Sequence, residues 1–62
     1  MMNFPEALIA ARESAGLTRE QVANNLQIPV RTLQNWELGY RTPPDYMQKM
    51  ILFCVSHQVQ FT

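Results

Sequence analysis

A chain of 62 residues with a hydrophobic fraction of 47% is globular rather than disordered, and sits near the smallest size at which one core is self-sufficient. Five basic residues cancel five acidic ones and the pI is about 6.5, which counts against binding polyanions by charge excess alone. A single cysteine excludes an internal disulfide and a thiolate-based zinc site, and there is neither a basic-then-apolar leader nor a membrane-length apolar run, so the expectation is one cytoplasmic domain over residues 1–62.

The first helix starts at Asn3, where Asn3-Phe4-Pro5-Glu6 has the form of a capping box with proline in the first turn. Phe4, Leu8, Ala11 and Ala15 recur at helical spacing and Ile9 widens the stripe. Gly16 is the expected left-handed stop, sealed by Leu17. Thr18 with Gln21 forms a second capping box, and Val22, Ala23 and Leu26 give the next helix one apolar face. Gln27 and Ile28 break that pattern, and Pro29 suits the first turn of a third helix, along which Leu33 and Trp36 recur before Gly39. Two short helices joined by three or four residues, over 18–39, make a helix-turn-helix, the motif that lays its second helix in a DNA groove.

Thr42-x-x-Asp45 predicts a fourth helix beginning at about Pro43. Its apolar residues fall on two adjacent faces, Tyr46, Met50, Phe53 and Cys54 on one, Met47, Ile51 and Val55 on the other. That is more apolar surface than one side of a helix buries against a small core. Tyr46, Met47, Met50, Ile51 and Phe53, with Phe61 in the tail, are therefore dimer-interface candidates; the alternative is a central core helix. The tail alternates at Val59 and Phe61 and is compatible with a helical extension, packing on the core or a short strand.

The string Arg12, Gly16-Leu17-Thr18, Gln21-Val22-Ala23, Leu26, Thr32-Leu33, Trp36-Glu37, Gly39 and Pro43 resembles the XRE, or lambda-repressor-like, helix-turn-helix family over about residues 6–46. Two positions depart from it. Gln27 stands where the family has glycine, implying backbone strain, and Pro29 stands where a serine or threonine cap is common. The resemblance implies an all-α fold of four to five helices, a bacterial or phage origin and an ion pair from Arg12 to Glu37, more useful for orientation than for stability. The competing reading of that pair is two uncoupled surface charges.

It also implies base-reading side chains at Val30, Arg31, Gln34 and Asn35, and their chemistry agrees: arginine pairs bidentately with guanine, glutamine or asparagine with adenine, and valine touches a thymine methyl. Candidates for phosphate contacts are Arg19, Gln21, Thr32, Tyr40 and Arg41, with Asn35 able to serve there too. On an isolated helix such residues would merely be solvated. Three of the arginines cluster at the motif, while Glu6, Glu13 and Asp45 lie outside it, so a modestly positive face is expected on a neutral molecule.

Catalysis has little support. His57 and Cys54 lie three apart with no third group to orient a base, and together they supply too few ligands for zinc. No metal, cofactor or enzymatic activity is expected. The sequence points to a repressor-like regulator that reads a pseudo-palindromic operator in double-stranded DNA as a homodimer. The rival is a protein-interaction module, such as an antitoxin or co-regulator component that binds a partner protein. A fragment of a larger regulator is a third reading, weakened by the initial methionine and the well-capped first helix.

Overall fold

A computed structural model describes residues 2–58, and within them the chain forms four helices and no strand. α1 (Phe4–Ser14) begins where the Asn3 side chain accepts the Glu6 N–H at 3.0 Å, with Pro5 in the first turn. It ends in a left-handed Gly16 (φ +71°), which lets the Gly16 and Leu17 N–H groups reach back to the Glu13 and Arg12 carbonyls at 3.0 and 3.1 Å. That is the Schellman arrangement, and it supplies donors for carbonyls that the helix itself leaves unpaired.

α2 (Arg19–Leu26) carries the full capping box: the Gln21 N–H donates to Thr18 Oγ1 at 3.1 Å and the Thr18 N–H donates to Gln21 Oε1 at 2.9 Å. Its last turn closes through Gln27, whose φ of 57° is left-handed, and the Ile28 N–H bonds the Ala23 carbonyl at 3.0 Å. A non-glycine residue there carries steric strain from its Cβ. Gln27→Gly is expected to raise stability by about 0.5–1 kcal/mol, seen as a higher midpoint in thermal or urea unfolding. A lower midpoint would show that the Gln27 side chain contributes more than its backbone costs.

α3 (Val30–Leu38) follows after three residues. Pro29 is its N-cap in extended conformation (ψ 145°), one position before the first turn, and no side chain caps this end. Gly39 (φ +80°) stops it, with the Tyr40 N–H on the Asn35 carbonyl at 3.0 Å.

α4 (Asp45–His57) starts two residues later than the sequence suggests, and the Thr42-x-x-Asp45 capping box does not form. A residue before proline is pushed out of the helical region, so Pro43 cannot be helical ahead of Pro44, which is itself extended (ψ 150°). No side chain caps this end; Gln48 instead ties the helix start to the segment before it, its Nε2 donating to the Pro43 carbonyl at 3.0 Å and to Asp45 Oδ1 at 3.4 Å.

Phe4, Leu8, Val22, Ala23, Leu26, Leu33, Ile51 and Val55 form the core, so every helix contributes. Each large side chain in it is worth about 1.5–3 kcal/mol of burial. Trp36 packs against the core and meets Phe4 edge-on, with ring centroids 6.3 Å apart. On α4 the inner face is Met47, Ile51, Cys54 and Val55. Two interface candidates are corrected by this. Ile51 is fully buried and Met47 half-buried against the core, because α4 lays this side on α1 and α2. Cys54 likewise leaves the outer face. Tyr46, Met50 and Phe53 remain exposed. Phe61 and the rest of the tail lie outside the described residues.

Candidate nucleic-acid interface

α3 has two unlike faces. Leu33 is fully buried and Trp36 half-buried, while Arg31 and Gln34 are exposed and Val30 stands at the margin of exposure. Spacing explains the division, since 33 and 36–37 lie on one side of a 3.6-residue helix and 31, 34 and 38 on the other, with 30, seven residues before 37, at the boundary. Asn35 and Thr32 are half-buried at the edge between the faces. The Asn35 carbonyl accepts both the Tyr40 and Arg41 N–H groups, at 3.0 and 3.4 Å, so the chain leaving α3 folds back beside it. An open groove lies between α2 and the start of α3, lined by Glu20, Gln21, Asn24, Ile28, Pro29 and Val30.

Behind the exposed face, Glu37 holds α3 to its neighbours. Arg12 Nε on α1 lies 2.8 Å from Glu37 Oε2, and Arg19 Nε at the start of α2 lies 2.9 Å from Oε1. Arg12 also donates to the Leu17 carbonyl at 3.2 Å. The carboxylate is buried yet fully hydrogen-bonded, which is the condition under which a charge is tolerated in a protein interior. The second helix of this helix–turn–helix thus turns a polar face to solvent, with its opposite face packed on α1 and α2.

A family model for the helix-turn-helix matches residues 8–53. The chain belongs to the XRE, lambda-repressor-like, helix-turn-helix family. Comparison with curated proteins and with solved structures gives no match. The XRE helix-turn-helix is a DNA-binding module of transcription regulators, so DNA binding through this motif is the coarse function of the domain.

Around this XRE motif, the candidate residues divide by what already engages them. Arg31, Gln34, Tyr40 and Arg41 are exposed, with Tyr40 at 75%. Gln21 is exposed, but its carbonyl oxygen serves the Thr18 cap, leaving its amide N–H groups to offer outward. Arg19 is the residue whose surroundings the sequence did not announce: it is an arginine on the motif's flank and also a partner of Glu37. No spacing rule could have linked positions 18 residues apart on different helices.

The described residues hold no cluster of three or more histidine, cysteine or acidic side chains placed for a metal. His57 stacks on Phe53 at 4.1 Å, and its Nδ1 lies 3.0 Å from the Phe53 carbonyl, so the ring is engaged within its own helix. Among the described residues no helix is long and apolar enough to cross a membrane.

Proposed function

We propose that this protein is a sequence-specific, repressor-like transcription regulator that reads a pseudo-palindromic operator as a homodimer. The observation that carries the reading is the exposed polar face of α3, Arg31 and Gln34 with Val30 and Asn35 beside them, on a helix whose other face is locked in the core. In the major groove Arg31 pairs with guanine, Gln34 with adenine, and Val30 meets a thymine methyl. Arg19, Gln21, Thr32, Tyr40 and Arg41 supply the backbone contacts that fix register. Few cations per subunit imply a modest salt slope, about 0.9 per phosphate neutralised.

Two subunits fit this charge-poor motif better than one, because two-fold symmetry doubles the contacts without a basic surface. The exposed Tyr46, Met50 and Phe53 recur at four and three residues along α4 and form the apolar face available for such pairing. Phe53→Glu is expected to give a monomer by sedimentation equilibrium and to weaken operator binding without unfolding the domain, since the position is exposed. A variant that sediments as the unmodified protein does would remove α4 as the interface.

The reading as a whole is tested by selecting bound duplexes from a random library, at low and then physiological salt. An enriched two-fold-symmetric motif that survives salt supports it. Binding that vanishes uniformly with salt would leave the second reading, a module that binds a partner protein, which the same α4 face and the zero net charge favour.

A further inference from the structure

Glu37 belongs to α3, but both of its oxygens face arginines from other helices. Oε2 lies 2.8 Å from Arg12 Nε, while Oε1 takes Arg19 Nε at 2.9 Å and Arg12 Nη2 at 3.4 Å. Side-chain exposure rises across the cluster, 1% for Glu37, 14% for Arg12 and 45% for Arg19. One carboxylate neutralises one guanidinium. The cluster therefore keeps one positive charge, and the exposure gradient puts it on Arg19.

The mode of attachment matters as much as the charge. A guanidinium is a rigid planar fork of five N–H donors. Donating Nε inward fixes the plane, so the exposed part of Arg19 can offer terminal N–H groups in a set direction. An unattached surface arginine has to give up rotamer freedom when it docks on a phosphate, and Arg19 has already lost much of it on folding.

We propose that Glu37 is a positioning residue for binding the DNA backbone: it pre-orders Arg19 toward a phosphate beside the groove that α3 enters. Arg12 supplies the second cation that allows a buried carboxylate to do this. The inference rests on the reading of α3 as the DNA-reading helix. It also reverses the sign expected from charge alone. Glu37→Gln removes a negative charge beside a polyanion's site, so unaided electrostatics predicts tighter binding. Pre-ordering predicts weaker binding.

The test titrates the selected operator duplex at physiological salt with four variants, each checked for folding by circular dichroism at the same temperature. Glu37→Gln and Arg19→Gln are each expected to weaken binding by about tenfold, the scale of one hydrogen-bonded charged contact. Their combination should lose no more than the worse single variant, because both act through one contact. Arg19→Lys keeps the charge but loses the rigid fork, so its freely rotating ammonium is not held toward a phosphate by a bond to Glu37, and it should lose nearly as much as Arg19→Gln. Folded Glu37→Gln that binds as tightly as the unmodified protein, or more tightly, overturns the proposal. So does Arg19→Lys at full affinity, and this exposed position decides the matter if Glu37→Gln does not fold. Arg31→Ala in parallel separates the two levels: loss with Arg31→Ala and none with Arg19→Lys sinks only the positioning role. No loss with Arg31→Ala sinks the reading of α3 and this inference with it.

Discussion

Replacing Arg31 and Gln34 together by alanine is expected to abolish operator discrimination and leave the fold untouched. Both side chains are exposed on α3 and neither takes part in the core or in the Glu37 cluster. Each bidentate contact to a base contributes about 1–3 kcal/mol of discrimination, so the pair should cost on the order of a hundredfold or more in specific affinity. Binding to a scrambled duplex should fall far less, because phosphate contacts remain on the flanks. Fluorescence titrations of both duplexes, beside a melting curve, make the comparison. Unchanged preference for the selected duplex would mean that other residues read it, and a lowered melting temperature would mean that these positions support the fold.

The complementary variant acts from the other side of the same helix. Leu33→Ala removes a fully buried side chain at the point where α3 meets the core, and large-to-small changes of this kind cost about 2–5 kcal/mol. A chain this short has little more than that in total. Its melting temperature should drop by roughly 10 °C or more, with DNA binding lost through unfolding. Leu38→Ala, on the same helix but 59% exposed, should change stability by about 0.5 kcal/mol at most. Equal effects at the two positions would contradict the orientation of α3. Together the two variants separate the reading face from the packing face of one nine-residue helix.

What the sequence disclosed follows from the range over which each signal acts. Asn3, Thr18, Gly16 and Gly39 set helix ends by bonds to residues within five positions, so both ends of α1, the start of α2 and the end of α3 were legible. The faces of α3 were legible too, because periodicity is a local property. α4 was misjudged twice. Consecutive prolines resemble a helix start by composition, but the restriction that Pro44 places on Pro43 outweighs the cap pattern. Its excess of apolar residues could not be divided between core and surface, since that depends on how α1 and α2 lie against it. The contact between Arg19 and Glu37 was invisible for the same reason. It is a product of how α2 and α3 cross, and nothing near either residue encodes it.

Each of the four described helices is followed by a left-handed residue, Gly16, Gln27, Gly39 or Gln58, and at the first three the next N–H closes a bond onto the last turn. The chain thus reverses direction using only neighbours, before any distant pairing is required. Little loop-closure entropy has to be surmounted ahead of the first rewarding contacts. Helical chains typically fold in times on the order of microseconds to milliseconds, and here the most distant pairing, left for later, is that of α1 with α4. For a domain of this size, rapid refolding means that each excursion from the native state is brief, with little time for the exposed core to find another chain.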